Sequence, residues 1–376
     1  MAGIYLHIPF CKQSCHYCDF HFSTTFKGYR ERLLQAVISE IRLQKNFLKE
    51  AIHTVYFGGG TPSLLSGEEL NAIMSKLRTI FDLSQVQEIT LEANPDDLNE
   101  EKIKALHASG VNRLSIGIQS FFEEDLRYMN RAHNAEQAIN CVGIAKNNGI
   151  ENISIDLIYG FPSLTEEKWK ANIERALALG VQHISCYSMT VEEGTALSRQ
   201  IATGKALKIN DEQSAHHFQI LQKSLKDAGF SHYEISNFSL PDYESKHNSS
   251  YWKGKKYLGI GPSAHSYDGA NRYWNVANNL RYMDAIESNL VPAEKEEIDV
   301  ATAYNEYILT RLRTIWGIEE KELLNFDEQC LQTFHSEIKQ YLDTGKVLLA
   351  DGKYTLSEEG KFIADKIASD LFVLKA

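Results

Sequence analysis

The chain lacks any apolar run approaching the roughly 18 residues that a membrane span requires, and it has no basic start followed by an apolar stretch and a cleavage site. A cytoplasmic protein is expected. It also lacks a basic surplus. Against 39 Lys and Arg stand 50 Asp and Glu, a formal charge of -11, so no cation excess is left for a phosphate backbone and nucleic acid is not expected as a partner. Cysteine is scarce as well: six in 376 residues are too few for a secreted disulfide scaffold. Cys141, Cys186 and Cys330 are scattered singly and read as small buried apolar residues. No internal repeat or low-complexity tract is present.

What is present is an ordinary globular composition, 43% hydrophobic, long enough to bury one barrel-sized core and a small second one. Short β-branched or aromatic runs at 4–10, 54–57, 88–93, 113–119, 153–159 and 183–190 predict strands. Amphipathic stretches at 29–48, 136–147 and 165–179 predict helices between them. Strands separated by helices must run parallel with right-handed crossovers, so residues 1–230 predict an α/β fold, a partial (β/α)6 barrel short of the eight units that close a full one. Reactive groups in such folds sit at the C-terminal strand ends, where Cys11, the Gly58-Gly59-Gly60-Thr61 turn, Glu92, Gln119 and Asp156 fall or nearly fall. After a helix at 211–227 the pattern loosens into a loop-rich region, 231–300. Residues 301–376 turn helical again and include two strands about Asp351-Gly352, then a helix from Ser357, which suggests a small helical, winged-helix-like domain. Its last sixty residues hold 7 Lys and Arg against 12 Asp and Glu, so it reads as a packing or lid domain rather than a DNA binder.

The other three cysteines crowd together as Cys11, Cys15 and Cys18, a CxxxCxxC spacing. In a reducing compartment three such thiolates read as metal ligands, and a 4Fe-4S cluster held by three of them keeps one iron open to an outside ligand. A structural zinc site completed by His16 or His21 is the alternative that spacing leaves open. Tyr17, between the last two cysteines, would stand beside the open iron, where its ring suits a purine.

With this loop leaving the first strand of a βα series, residues 5 to about 230 resemble the radical S-adenosylmethionine superfamily. Within it, YxHIPFC, GGGTP, Glu92-Ala93-Asn94-Pro95, Ile116-Gly117-Ile118-Gln119-Ser120-Phe121 and Asp156-Leu157-Ile158-Tyr159-Gly160-Phe161-Pro162 are similar to the oxygen-independent coproporphyrinogen oxidase branch. The resemblance implies that S-adenosylmethionine chelates the open iron and that one electron from the reduced cluster cleaves it to a 5'-deoxyadenosyl radical. By the same resemblance Tyr5, Tyr17, Gly59, Gly60, Thr61, Glu92, Gln119, Arg131 and Asp156 would line the cofactor pocket. Glycines there would let backbone approach the methionine moiety, and Arg131 would take a carboxylate. On bare physics the glycines also serve a plain turn, and Glu92 and Asp156 a buried structural pairing with some Lys or Arg.

A second constellation, His247-Asn248-Ser249-Ser250-Tyr251-Trp252, is similar to the HNxxYW signature of the haem chaperones, relatives of the porphyrinogen oxidases in that branch. It implies haem near His247, Asn248, Tyr251 and Trp252, with a neutral imidazole as axial ligand and flat rings against the macrocycle. A lone loop histidine that only hydrogen-bonds is the bland alternative. Covalent c-type attachment is excluded, because no CxxCH occurs. The phrase Tyr257-Leu258-Gly259-Ile260-Gly261-Pro262-Ser263-Ala264-His265-Ser266 also matches the family and makes His265 a reserve ligand. The oxidases carry a further cysteine two residues past the third and an N-terminal extension; here Phe20 takes that position and the chain starts at Met1. Expected, then, is a haem chaperone holding a 4Fe-4S cluster and S-adenosylmethionine, with haem and acceptor or donor haemoproteins as partners. Oxidative decarboxylation of coproporphyrinogen III is the alternative function, and a zinc-stabilised binding module a third. A homodimer and a transient membrane contact stay open.

Overall fold

The structure is a computed structural model that describes residues 2–374. Six parallel strands, β1 (Ala2–Ile8), β2 (Ile52–Gly59), β3 (Glu88–Ala93), β4 (Arg113–Gln119), β5 (Asn152–Tyr159) and β6 (His183–Ser188), lie side by side in chain order. Helices Arg30–Leu43, Gly67–Ile80, Glu100–Ala108, Ala135–Asn147 and Glu166–Ala178 connect them. This is the predicted partial barrel. Its strands are buried almost throughout because a parallel sheet flanked by helices is covered on both faces. In β1, Ile4, Leu6 and Ile8 alternate with Tyr5 and His7, so one face takes the aliphatic trio and the other the polar pair. The helices begin where their caps dictate: Ser66 and Glu69 form a reciprocal capping box, as do Asn134 and Gln137.

Where the sequence pattern loosens, the structure adds strands. Residues 231–300, expected to be loop-rich, contribute β7 (Ser231–Glu234), β8 (Asn237–Ser239), β9 (Lys256–Ile260), β10 (His265–Tyr267), β11 (Asn271–Asn275) and β12 (Ala293–Glu297). β9 pairs in parallel with β1, and β10, β11 and β12 continue antiparallel beyond it. At the opposite edge β8 and β7 extend the sheet antiparallel from β6, giving twelve strands among the described residues. These strands are three to five residues long, too short to show a period in the sequence. Between them, helix Lys246–Trp252 packs beneath β1 and β2, and the Glu88 carboxylate accepts the N–H groups of Lys246 and His247, both at 2.9 Å. A carboxylate at a helix start satisfies donors that have no partner within the helix.

The C-terminal residues build a second core of Tyr304, Ile308, Phe334, Ile338, Val347 and Ile367. Helices Val300–Leu312 and Glu328–Asp343 pack there with a small sheet ordered β13 (Ile318–Glu319), β15 (Lys353–Leu356), β14 (Val347–Ala350). The β14–β15 turn places Asp351 and Gly352 at φ 52° and 72°, the left-handed pair that an Asp-Gly hairpin supplies. Arg313 Nε donates to Glu234 at 2.7 Å and ties this unit to the sheet edge. No helix among the described residues is long and apolar enough to cross a membrane.

One buried carboxylate holds the added strands to the barrel. Glu40, on helix Arg30–Leu43, accepts from Tyr282 Oη at 2.5 Å, Asn275 Nδ2 at 2.8 Å and Gly261 N at 2.8 Å. Replacing Glu40 with Leu leaves three buried donors unmet. We expect a loss of about 3 kcal/mol, read as a lower urea midpoint at unchanged m-value.

Candidate functional site

The cysteine loop leaves β1 and is pinned at both ends. Cys11 N donates to Ser23 O at 3.1 Å, and Ser23 N to Pro9 O at 2.8 Å. Its middle is latched to the segment before Arg131: His16 N donates to Met129 O at 3.1 Å, Gln13 Nε2 to Asn130 O at 2.7 Å, and Asn130 Nδ2 to Ser14 O at 2.6 Å. All three thiols line one cavity of about 420 Å³. Thr61 Oγ1 donates to Cys11 Sγ at 3.5 Å, and Arg131 Nη1 to Cys15 Sγ at 3.3 Å. Burial pushes the Cys11 thiol up to about 11 and the Cys18 thiol up to about 12, so metal must displace their protons when it binds.

The rest of this cavity comes from the C-terminal strand ends. Glu92 accepts from Tyr56 Oη at 2.8 Å and from Gly59 N at 3.1 Å. Burial above all, with the neighbouring Asp156 adding to it, pushes Glu92 up to about 7 against those hydrogen bonds. Asp156, approached by Ser115 Oγ at 3.4 Å, is pushed up to about 6, again by burial. Arg131 Nη2 donates to Asn94 Oδ1 at 2.6 Å and Gly117 O at 2.8 Å, while Nη1 lies 3.5 Å from Tyr17 Oη. Gln119 ends β4 at φ 67°, with the pairing to β5 interrupted between Ile116 and Gln119. A strained backbone at a strand end is a common mark of function.

The donor set fits a cluster better than a single ion. Among the described residues no three His, Cys, Asp or Glu side chains converge closely enough to hold one metal ion. His16 Nδ1 is turned to Tyr128 O at 2.8 Å and His21 Nε2 to Asn279 Oδ1 at 2.8 Å, and neither candidate fourth zinc ligand lines the thiol cavity. Two buried polar atoms on the wall, Gln119 Oε1 and Arg131 Nε, lack partners among the described residues, a demand that a polar ligand meets. The glycine turn makes room: a Cβ on Gly60 would come within 2.7 Å of Phe10 O.

The structure therefore gathers Cys11, Cys15, Cys18, Tyr17, Gly59, Gly60, Thr61, Glu92, Gln119, Arg131 and Asp156 around one cavity. Tyr5 is not among them. Its ring lines a second, larger cavity of about 780 Å³ between the β1–β9–β10 region and the C-terminal helices, and its hydroxyl meets His7 Nδ1 at 3.2 Å. Tyr251 and Trp252 line this second cavity too. His247 and Asn248 do not. His247 is fully buried on helix Lys246–Trp252, not in a loop. Its Nδ1 lies 2.8 Å from Thr54 Oγ1, its Nε2 lies 2.8 Å from Tyr251 Oη, and it stacks on Tyr56 at 5.0 Å between centroids. Burial first, then Arg113, lowers it to about 3. The imidazole is neutral, with both nitrogens occupied.

Sequence reasoning missed Asn94, which orients Arg131, and Tyr187 and Ser188 at the end of β6 with Met189 just past it, which close the far wall. The strand-end rule that located the β1–β5 residues would have found the latter. Phe20, conspicuous in sequence only for replacing a cysteine, lines both cavities and is 68% exposed.

A family model described as the radical SAM superfamily matches residues 5–176. The fold and the cysteine loop thus define a radical S-adenosylmethionine protein. Heme chaperone HemW of Mycobacterium tuberculosis is 32% identical over 381 residues, 98% of this chain and 94% of that protein. HemW of Bacillus subtilis is 33% identical over 98% of both chains. The chain belongs to the heme chaperone HemW family. Among solved structures, coproporphyrinogen III oxidase HemN from Escherichia coli, a radical SAM enzyme, matches with TM-score 0.86 at 22% identity, covering 99% of this chain and 90% of its own. That likeness is one of fold.

The turn offers a direct check. Gly59 sits at φ 105°, and a Cβ there would fall 2.6 Å from the His7 ring. Gly59→Ala should cost about 2 kcal/mol in thermal or urea denaturation, whereas Gly28→Ala, with open space around it, should be silent.

Proposed function

We propose that the chain is a cytoplasmic haem chaperone that carries a 4Fe-4S cluster on Cys11, Cys15 and Cys18, binds S-adenosylmethionine beside it, and passes haem to acceptor haemoproteins. The observation that carries this reading is the pairing of two unlike cavities across Phe20. One is lined by three thiols, four carboxyls and an arginine; the other is larger and walled by aromatic rings. Both fall within the few hundred to 1,000 Å³ usual for small-molecule sites.

In the smaller cavity the open iron would take the amino and carboxylate groups of S-adenosylmethionine, and the cluster would supply one electron toward its sulfonium. Arg131, already fixed by Asn94 and Gly117, would meet that carboxylate. Glu92 and Asp156 would meet the cofactor's sulfonium or its ribose hydroxyls. In the larger cavity Tyr251, Trp252 and Tyr257 offer flat apolar area to a macrocycle. His247 supports that wall through Tyr251.

Three outcomes test this. Protein reconstituted without oxygen should be brown and hold iron with acid-labile sulfide, and Cys15→Ser should lose most of both; a colourless zinc protein would sink the cluster. S-adenosylmethionine should bind more tightly as the pH rises from below about 6 to above about 7, because Asp156 and Glu92 ionise there and only their charged forms attract the sulfonium. Equilibrium dialysis with labelled cofactor reads this, and a flat or falling profile contradicts it. Haem should bind at one per chain, with no protoporphyrinogen formed from coproporphyrinogen III under reducing conditions. Product and carbon dioxide would instead favour the enzymatic alternative, for which the intact cofactor pocket is the motive.

A further inference from the structure

We propose that His265 ligates the haem iron in the larger cavity and that Lys253 and Lys255 take the haem propionates. This assignment rests on the haem reading above and goes beyond it by naming which groups hold the porphyrin. The reason is availability. His247 and His7 each have both ring nitrogens engaged, His7 with Tyr5 at 3.2 Å and His21 O at 2.9 Å. His21 has Nε2 on Asn279 Oδ1 at 2.8 Å, so His265 alone of the histidines lining this cavity has neither ring nitrogen in a hydrogen bond among the described residues. His265 is exposed on the cavity wall and its imidazole has no hydrogen-bond partner among the described residues. A neutral ring nitrogen without a competing partner is the one that can bond iron.

The backbone around His265 is rigid, which a ligand position requires. A Cβ on Gly259 would lie 2.0 Å from His265 O, so β9 and β10 touch there. Ser266 Oγ accepts from Gly259 N at 2.8 Å, and Gly261, at φ 107°, is held by Glu40. The tight turn within the conspicuous 257–266 run thus presents His265 to the cavity.

Charge gives the second half. Four cations line this cavity. Arg272 is paired with Glu306 and Glu296, and Arg311 with Glu322. Lys253 and Lys255 make no salt bridge among the described residues and stand on the rim between this cavity and a neighbouring one, where the Lys253 ammonium rests over the Trp316 ring at 3.9 Å. Ammonium groups without a carboxylate partner on the rim of an aromatic-walled cavity suit a flat apolar ligand that carries two carboxylates.

The test is haem titration of the full-length, anaerobically reconstituted chain, followed in the Soret region. His265→Ala should shift the Soret band and weaken affinity at least about tenfold, roughly the 1.4 kcal/mol of one good polar contact, and free imidazole should restore the wild-type spectrum. His247→Ala should keep the wild-type Soret position. Lys253→Ala with Lys255→Ala should weaken haem about tenfold with an unmoved band, and haem dimethyl ester should bind that variant and the wild type equally. A wild-type spectrum and affinity in His265→Ala overturn the ligand assignment while leaving the haem reading standing. Equal haem affinity of the lysine variant overturns the propionate assignment. A wild type that binds no haem overturns both the assignment and the reading beneath it.

Discussion

All neighbours in a parallel sheet point the same way, so one end of it collects every loop that leaves a strand. That constraint organises the molecule. Residues as distant in sequence as Cys15 and Arg131 meet because each follows the C-terminal end of a strand, β1 or β4, and the two loops are then latched by Asn130 and Gln13. The polar lining follows from the same geometry. Glu92, Gln119 and Asp156 come from three successive strands, and burial holds both carboxyls well above their ordinary range until a ligand shares the space.

The other end of the sheet must be closed, and the helix carrying the HNSSYW run closes it. Its first N–H groups land on Glu88, His247 fills the space between Thr54 and Tyr56, and Tyr251 and Trp252 project onward to the larger cavity. The run thus has two faces with different work: His247 anchors, while the aromatic pair lines. A buried imidazole kept neutral between two hydroxyls is a stable arrangement, and pulling it out to meet iron would leave Thr54 and Tyr251 without that partner.

β1 joins the two cavities. Its side chains Tyr5 and His7 face the larger one, its continuation Cys11 begins the smaller one, and Phe20 at the far side of the cysteine loop touches both. β9 lies parallel beside β1, and the turn that follows it leads into β10, which begins at His265. A single strand therefore sets the distance between the thiols and the aromatic cavity, and Glu40 holds the β9 to β11 side in place through Gly261, Asn275 and Tyr282.

How much of this was legible without coordinates depended on the range of the interaction involved. The cysteine spacing, the six strand–helix units and the Asp351-Gly352 hairpin were readable because each is a local pattern: a period, a spacing or a dipeptide of known conformation. The six short strands between 231 and 300 were not readable, since three to five residues define no period and only pairing with β1 or β6 makes them strands. Nor was the fate of the histidines. His247 and His265 look equally free in sequence, and what separates them is Thr54, which sits 193 positions from His247 yet 2.8 Å from its ring. The amino-acid order by itself settled the fold class and the crowding of three thiols into one loop, because those follow from local pattern and chain connectivity. Which histidine is spent on packing and which stays free was decided only by tertiary structure, because hydrogen bonding at a distance in sequence leaves no local trace.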